Sequence, residues 1–329
     1  NIALFKDKIK DIMKWEREEG DKSFRGPQAI TDFVLMCFLV GNDFLPMIPG
    51  LAILEGGIDA MLDIYKDVCK KFGHLTKNTK NIGDMINKKS LQIFIGTLAS
   101  YEKGFIEEKI SKKDNFMEDL LLQKHTKYEE GKPIVDINSY KKEYYTKKLI
   151  GEENRREVCL HYISGLNWVI NYYKIGIPSW NWYYPFFYGP FLSDMYCYIM
   201  EWKYTPPQND KSLNNVEQLM CVMPKVSHNL LPSPFDKIVS KLHPEFYPEE
   251  FKIDYSGKRR EWEGIVLLPM VDIPKIQKTF RDHKSSMKDD FLVKENDTFV
   301  YKNTSKLYNY RSYYGDITDC SVNKNFIKL

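Results

Sequence analysis

The sequence predicts a helix-rich α/β fold, on three observations. Apolar residues recur at helical spacing over several long stretches. The Gly, Pro and Asn residues that stop helices fall between those stretches. Strand and hairpin signals are confined to short segments. In order, Ile2, Phe5, Ile9, Ile12, Met13 and Trp15 are spaced as the apolar face of a helix within residues 1–24. Gly26-Pro27 separates that helix from a dense apolar run, Phe33 to Val40, which breaks at Gly41-Asn42-Asp43 and is followed at once by Phe44-Leu45-Pro46. A second apolar segment, Ile58 to Tyr65, follows Gly56-Gly57 and continues as a helix that ends near Gly73. Its Lys66, Lys70 and Lys71 read as a solvated face, and the lone His74 as structural. Residues 90–110 are again helical in period, whereas 111–155, rich in Lys, Glu, Asp and Tyr, read as a partly helical linker. Glu157 to Tyr173 is a long half-buried helix that cannot continue past Pro178. Beyond it come a loop at Pro206 to Asp210, a helix over Val216 to Pro224, a tight hairpin turn at Ser256-Gly257 and a short strand at Phe299-Val300-Tyr301.

Composition narrows the class. With 43% apolar and 14% aromatic residues, including 22 Tyr and 19 Phe, the chain folds and is not disordered. A net charge of +3 is too small to mark a nucleic-acid binder, so any basic footprint must be local. The six cysteines form no CxxC pair and no Cys/His cluster, which reads as reduced thiols and places the protein inside the cell. No apolar run approaches the roughly 20 residues of a membrane span, so no membrane partner is expected. The chain begins at Asn1 and not at Met, and is expected to be a fragment or a processed piece.

Two readings of Asp43 stand side by side. In one, Gly41-Asn42 stops a helix and Asp43 caps the next turn. In the other, Asp43 is a metal-ligand carboxylate, because hard divalent ions take oxygen ligands. No Lys or Arg lies between Arg25 and Lys66, so Asp32, Asp43, Glu55, Asp59 and Asp63 have no cation nearby in sequence. The run Trp180, Trp182, Tyr183, Tyr184 likewise reads either as an aromatic core on irregular backbone or as a platform on which bases stack without sequence preference.

DFVLMCFLVGNDFLP and the later block GLNWVINYYKIGIPSWNWYYPFFYGPFLSD resemble, in the same order, the end of the first conserved region and the second conserved region of the XRN family of 5′→3′ exoribonucleases. VEQLMCVMP, the FYP at 246–248, IDYSGK and WEGIVLLP are similar to further family segments, so that the resemblance runs from about Phe24 to Phe280 and fades from about Asp289. It implies that residues 1–110 are the C-terminal part of a PIN/flap-endonuclease-like nuclease domain, 111–155 a linker, and 156–329 the mostly helical second conserved region, which walls the active site, with the segment after it. It makes Asp43 a ligand of Mg²⁺ (or Mn²⁺), Asn42 the residue that orients its carboxylate, and Trp182, or after it Trp180, the ring that stacks on the 5′ nucleotide. Lys258, Arg259 and Arg260 are the candidate contacts to the RNA backbone.

The implied activity is processive two-metal hydrolysis of single-stranded RNA with a 5′-monophosphate, in the cytoplasm or the nucleus. Most of the family's acidic ligands lie upstream of its GNDFLP segment. Asp7, Asp11, Glu16, Glu18, Glu19 and Asp21 precede Asp43 here but do not match those motifs, and read as an exposed helix face and a loop. The site and the core are therefore expected to need the missing N-terminal nuclease segment, covalently or as a separate chain. The competing reading is a catalytically inert RNA-binding or scaffold piece. A third, an unrelated helical interaction protein that carries GND, is opposed by the Trp-rich block.

Overall fold

The computed structural model describes residues 2–14, 24–51, 56–112, 117–206 and 210–287, and the backbone of four short strands between 300 and 325. Trp15, Glu16, Glu18, Glu19, Asp21, Glu55, Phe299 and the residues 207–209 of the expected loop lie outside the described residues. The chain divides into two compact units, one of residues 1–211 with 250–268, the other of 212–249 with 269–329.

The first unit is helical. It contains α1 (Ile2–Met13), α2 (Gly26–Phe38), α3 (Gly57–Phe72), α4 (Lys88–Ala99), α5 (Glu102–Ser111), α6 (Leu120–Lys124), β1 (Thr126–Glu129), β2 (Lys132–Val135), α7 (Ile137–Lys148), α8 (Arg155–Lys174), α9 (Leu192–Tyr198), β3 (Lys252–Asp254) and β4 (Ile265–Leu267). Local chemistry sets most boundaries. Pro27 opens α2, where its missing N–H is not needed. Helix α3 carries Asp59 in its first turn and Lys70 and Lys71 in its last, complementing the helix dipole, and stops at Gly73 with φ 81°. The expected single helix over 90–110 is two, because α4 ends at Ala99 and α5 starts again at Glu102.

Two apolar clusters fill this unit. The larger draws on α2, α3, α4, α8 and α9, with Leu35, Tyr65, Phe94, Tyr162 and Leu166 all buried. The smaller is aromatic: Tyr140, Tyr144, Tyr145, Tyr188 and Phe191, with Ile106 and Val135. Helix α8 serves both, with Cys159 in the first and Val158 in the second. The described residues of the partly helical linker, 111–112 and 117–155, include α6, the β1–β2 hairpin and α7, and Tyr140, Tyr144 and Tyr145 pack in the second cluster. The Ser256-Gly257 turn is real, with Gly257 at φ 65°, but it is not a tight hairpin. β3 pairs with β4 through Asp254 and Ile265, so residues 255–264 form a wide loop.

The second unit packs α10 (Asn215–Val222), α11 (Phe235–Leu242) and α12 (Ile273–His283) around Val216, Met220, Phe235, Val239 and Ile276, with Phe235 stacked on Phe280 at 5.5 Å. Asn214 and Glu217 form a reciprocal cap at the start of α10. Four strands follow: β5 (Val300–Lys302), β6 (Tyr308–Ser312), β7 (Gly315–Cys320) and β8 (Asn323–Asn325), with β5 antiparallel to β8 and β6 to β7. Every sheet among the described residues is a two-stranded antiparallel pair, so the α/β expectation holds only in its helix-rich part and no parallel sheet is seen in these residues.

Gly165 is the point of closest approach in α8. A Cβ there would lie 2.5 Å from Leu45 Cδ2 and 2.9 Å from Trp182 Cη2. Gly165→Ala is therefore expected to destabilise the protein by about 1–3 kcal/mol through overpacking. In a Leu45→Ala background its added penalty is expected to shrink, as a double-mutant cycle in urea would measure.

Candidate functional site

The Gly41-Asn42-Asp43 segment is a turn built by Asn42. Gly41 has φ 96°, a conformation that favours glycine. Asn42 Oδ1 accepts hydrogen bonds from Phe44 N at 2.8 Å and Leu45 N at 2.9 Å, while Asn42 N donates to Leu45 O at 3.0 Å. The cap of this turn is thus Asn42, not Asp43. The Asn42 Nδ2 is buried and has no partner among the described residues, so the side chain holds the turn and does not bond the neighbouring carboxylate. Asp43 itself is exposed.

The turn is locked to α8 by rings. Phe44 lies 5.1 Å from Trp168 and 5.2 Å from Tyr172. Trp168 is stacked on both Tyr172 and Trp182, each at 5.4 Å. Tyr162 donates to Pro46 O at 2.8 Å, and a Cβ on Gly189 would lie 2.9 Å from Met47 O. The two sequence blocks therefore form one packed body, with one aromatic column reaching from the residue after Asp43 to the Trp-rich segment. Trp182 is half-buried in that column, whereas Trp180 is 52% exposed.

The other carboxylates of the cation-poor window go elsewhere. Asp32 is fully buried and receives Thr76 N, Thr76 Oγ1 and Tyr65 OH, with His74 Nδ1 at 2.6 Å. Because His74 Nε2 accepts from Arg25 N, its proton sits on Nδ1, and the group ties α2, α3 and the 74–76 segment together. Asp59 and Asp63 are exposed on α3. Among the described residues no three His, Cys, Asp or Glu side chains come together as a metal site. Asp43 fits as one oxygen ligand of a divalent ion, but these residues do not complete a site.

A cleft of about 520 Å³ lies beside the turn. Pro46 and Met47 are part of its lining, and Lys109, Lys148, Lys258 and Arg259 bring positive charge to it. Lys148 is committed to Asp254 at 3.0 Å. Lys258 forms no ion pair among the described residues, and burial lowers its pKa against the raising fields of Glu263 and Asp254. Arg260 is exposed and is not part of the cleft lining. Partial burial pushes the Asp254 carboxyl up, but hydrogen bonds from Ser256, Tyr188 and Lys148 outweigh it and hold it well below the usual range. Lys109 and Lys148 escaped the sequence reading because they lie far from Lys258 in the chain and only the fold joins them.

A model of the Xrn1 helical domain matches residues 24–136 and 134–321. The chain belongs to the XRN family. The match begins ahead of the GND turn and continues past Asp289, where the resemblance read from the motifs had faded. The 5′-3′ exoribonuclease 2 homolog of Drosophila melanogaster is 28% identical across 93% of this chain and 41% of its own length. The 5′-3′ exoribonuclease 2 of Gallus gallus is 29% identical across 76% of this chain and 35% of its own. For the Homo sapiens 5′-3′ exoribonuclease 1 the values are 27%, 79% and 18%. This XRN chain therefore spans less than half the length of these relatives. No described helix is long and apolar enough to cross a membrane.

Asn42→Ala is expected to lose about 1–3 kcal/mol, since two backbone donors of the turn lose their acceptor. Asn42→Asp keeps an acceptor oxygen and is expected to lose less, as urea midpoints would record. The depressed Asp254 pKa gives a pH dependence. Its folded value lies below the unfolded one, so its contribution is complete above the ordinary carboxylate pKa of about 4 and drains away as pH falls. Asp254→Asn is expected to flatten that part of the stability profile measured from neutral pH downward.

Proposed function

We propose that this chain is the part of a 5′→3′ exoribonuclease that walls the catalytic centre and carries the path of single-stranded RNA into it. The observation that carries this reading is the aromatic column that joins the GND turn to the Trp-rich block in one body, within a match to the Xrn1 helical domain. Relatives named 5′-3′ exoribonucleases support the reaction class. The substrate is RNA with a 5′-monophosphate, degraded processively. Asp43 is one ligand of Mg²⁺ or Mn²⁺, and residues 1–110 abut a PIN/flap-endonuclease-like nuclease segment, supplied upstream or by another chain, that holds the remaining ligands. Such ions, when bound, activate water and stabilise the leaving oxygen. Asn42 orients Asp43 through the turn it caps. Trp182, or Trp180, offers a stacking face, which suits an enzyme that must accept every base. Lys258 and Arg259 meet the RNA backbone within the cleft, and the exposed Arg260 is a further candidate contact outside its lining. The protein works in the cytoplasm or nucleus.

The second reading, an inert RNA-binding or scaffold piece, is favoured by one observation: the described residues hold no complete metal cluster. Degradation of 5′-monophosphorylated single-stranded RNA in Mg²⁺ separates the two. The experiment compares this chain with a version extended upstream to the length of the relatives, with EDTA and Asp43→Ala as controls. Activity is expected only in the extended chain and is expected to fall in Asp43→Ala by more than the roughly 10–100-fold typical of losing a group that merely supports a ligand. An extended chain that binds the RNA and leaves it intact would establish the scaffold reading.

A further inference from the structure

The segment that presents Trp180 and Trp182 has no helix or strand of its own, since α8 ends at Lys174 and α9 begins at Leu192. Trp180 stacks on no described ring, and its own exposure leaves little packing to hold it. What fixes the segment is a carboxylate from further along the chain. Asp210 Oδ1 accepts from Trp180 N at 2.9 Å, and Oδ2 accepts from Ser179 Oγ at 2.5 Å and from Asn181 N at 3.0 Å. Ser179 Oγ in turn accepts from Trp182 N at 3.2 Å. Ser179 O receives the Trp168 indole N–H at 3.1 Å, which moors the turn to α8. The backbone N–H groups of both tryptophans are thus held by one carboxylate–hydroxyl pair, Trp180 directly and Trp182 through Ser179. Bonds to an ionised acceptor are the strong kind. Burial pushes the Asp210 carboxyl up, but the hydrogen bonds from Ser179, Trp180 and Asn181 outweigh it and hold it below the usual carboxylate range.

We propose that Asp210 is the positioning residue of the aromatic platform: with Ser179 it sets the backbone of Trp180 and Trp182 so that their rings are in place before RNA arrives. This rests on the reading of those rings as a stacking platform. A base that meets a fixed ring does not have to order it, and ordering a flexible side chain on binding costs affinity. Asp210 also lines a cavity of about 350 Å³ together with Trp168, Trp182, Trp202 and Tyr204, so its carboxylate borders the same space as the Trp182 ring.

The test uses the chain extended to the length of the relatives and follows KM and kcat on 5′-monophosphorylated single-stranded RNA, intact or abasic over its first nucleotides. Asp210→Ala is expected to raise KM on intact RNA about tenfold, the order of one lost stack, with kcat little changed. On abasic RNA it is expected to match the unaltered protein. Asp210→Asn, which keeps one acceptor oxygen, is expected to recover part of the loss. If Trp182→Ala or Trp180→Ala raises KM on intact RNA and Asp210→Ala does not, the positioning role falls while the platform stands. If neither tryptophan variant changes KM, the platform falls and the positioning role with it. Equal losses on intact and abasic RNA would reduce Asp210 to a structural residue. Should Asp210→Ala fail to fold, Ser179→Ala and Asp210→Asn read the same pattern, and the absence of any base-dependent KM effect in both overturns the proposal.

Discussion

The whole arrangement depends on a backbone approach that only glycine permits. At Gly165 the GND turn, through Leu45, and the Trp-rich segment, through Trp182, both press against α8 where a side chain would otherwise stand. Cores are close-packed, so a vacancy of one methyl sets where both neighbours sit. One turn further along α8, Trp168 receives Phe44 from one block and Trp182 from the other. Glycine admits the two segments and tryptophan joins them. Helix α8 therefore brings the two segments together, while the bonds within each loop set its own backbone.

The same helix grips a third segment by hydrogen bonds. Asn167 and Asn171, one turn apart and both buried, accept from Met85 N and Gly83 N and donate to Gly83 O. An amide offers both a donor and an acceptor, so two of them can satisfy a backbone turn that no helix or strand pairs. Buried polar groups of this kind fix one geometry, since a shifted turn would leave several of them unpaired at once. The buried Asp32, with Tyr65, His74 and Thr76, acts alike between α2 and α3.

Much of this was legible in the chain because it is local. The helix stop at Gly73 and the helix break ahead of Pro178 follow from the allowed φ of Gly and Pro, which do not depend on tertiary context. The two blocks that carry the site were read from their motifs. What was not legible was which member of a polar pair does which work. Asn42 and Asp43 can each cap a turn, and only the backbone geometry assigns the cap to Asn42. The stretch 111–155 read as a linker because its apolar content is tyrosine, and whether a Tyr packs depends on where its hydroxyl finds a partner. Tyr144 finds Gly189 O and Tyr145 finds Asp194, both distant in sequence. Asp210 left no local signal at all, since its partners lie about thirty residues earlier.

Charge in this molecule is better judged by what each group is already bonded to than by where it lies in the sequence. The window without Lys or Arg looks like a bed of carboxylates, yet among its described members Asp32 is saturated with donors and Asp59 and Asp63 are exposed on α3, while Asp43 is the carboxylate at the turn. The basic residues divide in the same way. Lys141 is bound to Asp194 and Ser193, and Lys148 to Asp254, so neither has its charge to spare for a ligand. Lys258, partly desolvated and without an ion pair among the described residues, is the ammonium whose burial is not yet compensated. A phosphate entering the cleft would compensate it, and the low-dielectric wall that depresses its pKa would strengthen that contact. The turn that presents Asp43 and the cleft that holds Lys258 meet at Pro46 and Met47, which follow the one and line the other.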